Sequence, residues 1–72
     1  MTETEIAEVV AAPLEDGSGP EGSRVAIGQT EAGRFLKVIY VPDEEPGSAF
    51  VITAFQPGPK ALRALRRRLR RR

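Results

Sequence analysis

Apolar residues recur along this chain with two different spacings, and the change of spacing marks out its elements. Ile6, Val9 and Val10 fall at i, i+3 and i+4, which predicts a short helix over residues 2–12. Thr2 and Glu5 have the spacing of a capping box, Glu3 suits the positive end of a helix, and Pro13 stops the run. Leu14 to Ser23 (LEDGSGPEGS) holds three Gly, one Pro and three acids and reads as a loop. The period then falls to two. Arg24 to Thr30 places Val25 and Ile27 on one face of a half-buried strand, and Glu31-Ala32-Gly33 is a hairpin connection in which Gly33 can take the left-handed conformation.

Arg34 to Val41 is apolar on both faces apart from Lys37, the pattern of a central strand. Pro42 to Ser48 carries two prolines and reads as a turn; Ala49 to Phe55 is a third strand, stopped by Gln56-Pro57-Gly58-Pro59. Beyond it Leu62, Leu65 and Leu69 recur at i, i+3 and i+7, with Pro59 suited to the first helical position. That stripe is expected to dock on the open sheet face, while repulsion between the arginine runs at 66–68 and 70–72 predicts fraying of Arg70–Arg72. The expected class is α+β. A short N-terminal helix lies on a three-stranded antiparallel sheet, making one domain over 1–59, followed by a basic helix or tail over 60–72.

Composition removes several kinds of chemistry. The chain has 72 residues, enough for one small domain, and no Cys, His or Trp. Thiolate and imidazole zinc sites, a Cys nucleophile, a Ser-His-Asp triad and disulfides are all excluded. No apolar run is long enough to span a bilayer, and the acidic N-terminus does not resemble a signal peptide, so a cytoplasmic location is expected.

Charge is more informative. The formal net charge is only +1, yet residues 1–59 hold ten acids against three bases, whereas residues 60–72 hold eight bases and no acid. Such a split points to a segment that binds nucleic acid or another polyanion, to a membrane-surface segment, or to a solvated tail. The candidate nucleic-acid contacts are Lys60, Arg63, Arg66, Arg67, Arg68, Arg70 and Arg71, with RNA, the ribosome or an acidic protein as partner classes.

Elsewhere the acids cluster as Glu15-Asp16 and Asp43-Glu44-Glu45 in Gly/Pro-rich segments. Neither cluster has metal-ligand spacing, and both read as solvated turn residues, so no metal and no cofactor is expected. Gly17, Gly19 and Gly22 match a G-x-G-x-x-G pattern outside the strand–helix context that gives it meaning. Arg34, Lys37 and Tyr40 are the candidate catalytic residues, because cations beside a scissile phosphate stabilise its developing charge without histidine. A single short helix cannot cover Phe35, Ile39, Val41, Val51 and Phe55 as well as the opposite face, which points to a homodimer or a dedicated partner protein.

In order, Glu5-Ile6-Ala7-Glu8-Val9, Arg24-Val25-Ala26-Ile27-Gly28, Gly33-Arg34-Phe35-Leu36-Lys37-Val38-Ile39-Tyr40, Phe50-Val51-Ile52-Thr53-Ala54-Phe55 and the basic end resemble the small RelE/BrnT-like toxin fold, in a bacterial branch of that superfamily. The resemblance covers roughly residues 5–68. It places the family's Gly-Arg pair on Gly33 and Arg34 and its aromatic strand end on Tyr40. It implies an RNA-binding module, with two alternatives: a metal-independent endoribonuclease of a toxin–antitoxin system with an antitoxin-like partner, or a partner-binding protein. The family's first helix carries a histidine and this chain has none, so binding is expected ahead of cleavage.

Overall fold

A computed structural model describes residues 2–45 and 49–71. Helix α1 spans Glu3–Ala11 and starts with the expected capping box: Thr2 Oγ1 accepts from the Glu5 amide and Glu5 Oε1 accepts from the Thr2 amide, each at 3.1 Å. These bonds satisfy two amides that a helix start otherwise leaves open. Val9 is the buried residue of its apolar stripe, with Ile6 and Val10 packed beside it.

The strands are β1 (Glu15–Ser18), β2 (Arg24–Gln29), β3 (Phe35–Pro42) and β4 (Ala49–Phe55). They form one antiparallel sheet in chain order. The sequence predicts three of these strands and a loop where β1 lies. That loop is a strand because its backbone pairs with β2 from Glu15 opposite Ile27 to Ser18 opposite Arg24, although EDGS has no apolar alternation. Pro20–Gly22 turns the chain back, and Ser23 closes the turn by donating from its hydroxyl to the Pro20 carbonyl at 2.7 Å. The β2–β3 connection closes at Gly33, whose φ of 86° is open to glycine and costly for other residues. Of the predicted turn at Pro42–Ser48, β3 takes Pro42, and Pro46–Ser48 lie outside the described residues.

The two faces of the sheet have different covers. Ala26, Leu36, Val38 and Tyr40 point to one face and form the buried core with Val9 of α1. Gly28 lies under that helix, where a Cβ would come within 3.2 Å of the Val9 side chain. Glu31 donates its amide to Glu8, and Arg34 pairs with Glu5 at 3.8 Å, tying α1 to the β2–β3 hairpin.

Helix α2 (Pro59–Arg70) takes the other face, as its leucine stripe predicts. Leu65 is 1% exposed, Leu62 and Leu69 are half-buried, and two arginines reach the strands: Arg66 lies over the Phe35 ring of β3 and Arg68 binds Glu15 of β1. The helix continues through Arg70, where fraying is expected from the sequence. Leu69 anchors the last turn, and the negative helix end favours Arg67, Arg68 and Arg70. Arg72 lies outside the described residues.

Leu36 carries the core and Phe50 does not. Replacing Leu36 by Ala is expected to cost about 2–5 kcal/mol, a large share of the roughly 5 kcal/mol available to a small domain. Phe50→Ala, at a side chain 72% exposed, is expected to shift stability by less than about 0.5 kcal/mol. Urea unfolding followed by far-ultraviolet circular dichroism checks both, and equal losses would contradict the placement of the core.

Candidate functional site

The three candidate catalytic residues all lie on or beside β3, but pleating separates them. Tyr40 faces the α1 side, Lys37 faces the α2 side, and Arg34 stands at the hairpin against Glu5. Arg34 and Tyr40 are six residues apart on an extended chain, a span of about 20 Å. The Lys37 ammonium sits 5.9 Å from the Phe55 ring centroid. No single phosphate reaches all three.

Tyr40 belongs to a strap that crosses three strands. Its hydroxyl donates to Asp16 Oδ2 at 3.0 Å, and Arg24 Nε donates to Asp16 Oδ1 at 3.0 Å. Register explains the meeting: Ser18, Arg24 and Tyr40 stand in line across β1, β2 and β3, and Asp16 is the next residue on the same face of β1. Burial raises the Tyr40 pKa, and the hydrogen bond to Asp16 raises it further. The Asp16 hydrogen bond and charge also hold the Arg24 proton more tightly than usual. A tyrosine held protonated in this way is a hydrogen-bond donor at neutral pH, and its work here is to pin β1.

Glu15 and Asp16, expected as solvated turn residues, are therefore both engaged. The Glu15 carboxylate accepts both arms of the Arg68 guanidinium, from Nε at 2.7 Å and Nη2 at 2.8 Å. Such a planar fork fixes orientation as well as charge. Among the described residues no group of three or more acidic side chains is placed to hold a metal ion. No helix among them is long and apolar enough to cross a membrane.

The fork sorts the C-terminal cations into two sets. At 100° per residue, Leu62, Leu65 and Leu69 define the docked side of α2, and Arg66 and Arg68 lie at its two margins, where each reaches the sheet. Lys60, Arg63, Arg67, Arg70 and Arg71 form the opposite stripe, all exposed. The ion pairs among the described residues are Arg24–Asp16, Arg34–Glu5 and Arg68–Glu15, and none involves that stripe. Five of the seven basic candidates thus project together, while Arg66 and Arg68 serve the docking.

Phe50 and Phe55 lie with Phe35 on the α2 face of the sheet; the sequence marked Phe55 only as part of an apolar interface and did not single out Phe50. Phe55 pairs with Lys37 and Phe50 pairs with Val41, both on that face, although they stand an odd five positions apart. A bulge on β4 at Ile52 explains this: the register passes from Ile39–Thr53 to Tyr40–Val51, so one residue has no opposite number. The same bulge moves Val51 off the face where its position in the sequence puts it. Val51 lies instead beside α1, in an apolar groove of about 290 Å³ with Ala7, Val10, Ala11 and Ala49. No sequence period signals a bulge; the unbroken apolar run FVI was the only hint.

Tyr40 can be titrated alone, because the chain has one tyrosine and no tryptophan. Phenolate absorbance is expected to rise with a midpoint above the ordinary 10.0 in the folded chain and near it in urea. Unfolded Tyr40 gives up its proton first, so stability is level below about pH 10 and falls above it. Tyr40→Phe removes this contribution, and Asp16→Asn lowers the folded midpoint while leaving the effect of burial. A folded midpoint at or below the unfolded one would contradict the strap.

Comparison of the chain with protein-family models, with curated proteins and with solved structures finds no match.

Proposed function

We propose that this chain binds single-stranded RNA through the exposed stripe of α2, with the rings of Phe50 and Phe55 as stacking surfaces on the same face of the sheet. The observation that carries the reading is the division of the basic residues: two hold the helix down, and Lys60, Arg63, Arg67, Arg70 and Arg71 remain exposed along one side. A cationic side of a folded helix presents phosphate contacts at fixed spacing, and the ordering of the helix precedes binding. Arginine pairs phosphate with its planar fork and also stacks on bases.

Two further features support an unpaired strand as the ligand. Phe50 and Phe55 are 72% and 41% exposed, an unusual state for phenylalanine that a base can relieve by stacking. The acidic residues of α1 lie behind the opposite face of the sheet, so they leave the α2 face to the polyanion. The resemblance of residues 5–68 to RelE/BrnT-like toxins favours RNA among polyanions. Binding without cleavage is the reading the geometry favours, since Arg34, Lys37 and Tyr40 do not converge.

A fluorescently labelled oligouridine, followed by anisotropy, tests this. With five phosphate contacts on a single strand, affinity is expected to fall about a hundredfold between 50 and 200 mM salt. Arg63→Glu, Arg67→Glu and Arg70→Glu together are expected to abolish binding at low salt, and Phe50→Ala to weaken it by about tenfold, within the roughly 1–3 kcal/mol of a base–aromatic stack. The oligonucleotide is expected to emerge intact. Affinity indifferent to the triple substitution would overturn the proposal, and cleavage lost on changing Arg34 or Tyr40 would replace it with the endoribonuclease reading.

A further inference from the structure

The two edges of the sheet are unlike. β1 is four residues long, carries Glu15 and Asp16, and has α2 held against it by Arg68. β4 is seven residues long, and its sequence AFVITAF contains no charge, no proline and no glycine. The sheet order leaves its outer backbone edge without a strand neighbour among the described residues. Four of the six large hydrophobic residues found exposed, Phe50, Val51, Ile52 and Phe55, stand on it. Long uncharged edges template further strands; charges, prolines and bulges are the usual protection, and of these β4 has only the bulge at Ile52.

We infer that β4 pairs antiparallel with β4 of a second copy of this chain. The occupant follows from the chemistry of the edge. A strand with no charge meets its own copy without any like-charge opposition, and the two seven-residue strands overlap fully when centred on Ile52. Pairing β4 to β1 would instead set this apolar strand against an acidic one and would propagate without closing, whereas β4 against β4 closes on a two-fold axis. The groove beside α1 is lined on its β4 side by Ala49 and Val51, so apolar surface flanks this edge strand on the α1 face as well. The product is a continuous antiparallel sheet of eight strands, twice the four of one chain. The inference stands apart from the RNA reading and is tested without nucleic acid.

Sedimentation equilibrium of the full chain is expected to give twice the 7.8 kDa chain mass. Ile52→Lys, which places a charge at the most exposed large hydrophobic residue of β4 after Phe50, is expected to return the chain to 7.8 kDa with its circular dichroism unchanged. A second readout covers the case in which that variant fails to fold. The chain has no cysteine, so Ile52→Cys introduces a single thiol at the middle of β4, and Ser18→Cys a single thiol on the opposite edge. Mild oxidation is expected to link Ile52→Cys into dimers and to leave Ser18→Cys unlinked. A wild-type mass of 7.8 kDa would overturn the inference and leave the edge open to a different protein. A mass that climbs without limit, or linking at Ser18→Cys and not at Ile52→Cys, would overturn it in favour of head-to-tail addition or another interface.

Discussion

Eight positive charges and no negative one fall in the last thirteen residues, so a helix built from them is held against the acidic body or repels itself apart. The two-armed pair of Arg68 with Glu15, together with the burial of Leu65, supplies that hold. An exposed ion pair contributes little stability alone. Its consequence here is orientational: with Leu65 down and Arg68 turned to β1, the helix has one rotation, and that rotation points Lys60, Arg63, Arg67, Arg70 and Arg71 outward. Arg66 over Phe35 fixes the other margin. Position on α2 therefore divides one basic run into a docking pair and an exposed stripe.

The hold depends in turn on β1 being a strand. Backbone pairing with β2 lays β1 on the sheet, and Asp16, bonded to Arg24 and Tyr40, reinforces the position from which Glu15 meets Arg68. Two acids adjacent in sequence thus serve opposite faces, one joining β1 to the central strand and the other joining it to α2. In the proposed dimer the two-fold axis lies between the two β4 strands, normal to the sheet, so both α2 helices fall on the same side. Five strand spacings separate their seats over β2, about 24 Å, with Phe50 and Phe55 of each copy between them.

Much of this was legible in the sequence. The capping box at Thr2, the Ile6/Val9/Val10 stripe, the Gly33 turn, the central strand and the leucine stripe of α2 each rest on a local period or a turn chemistry, and the structure carries all of them. What escaped has a common physical cause. β1 is held by backbone pairing and polar side chains, so it leaves no apolar signature, although a Gly-Pro-Glu-Gly turn between Asp16 and Arg24 is a hairpin signal. The bulge at Ile52 reverses the face of every residue before it on β4, which moved Val51 to the α1 side and put Phe50 on the same face as Phe55. Arg34, Lys37 and Tyr40 look like neighbours in sequence, but pleating and strand length part them. A count of arginines could not separate Arg66 and Arg68 from the stripe, because that division depends on what lies beneath the helix.

The central claim, that a docked helix presents one fixed set of cations to RNA, is most directly read from the arginine side chains themselves. In a nitrogen-15 labelled chain each guanidinium Nε–H gives its own magnetic resonance signal, and oligouridine can be added stepwise. Arg63, Arg67, Arg70 and Arg71 are expected to shift together, while Arg68 and Arg24 keep their positions because Glu15 and Asp16 retain them. Release of Arg68 with loss of the α2 amide pattern, or shifts spread evenly over every arginine, would contradict it.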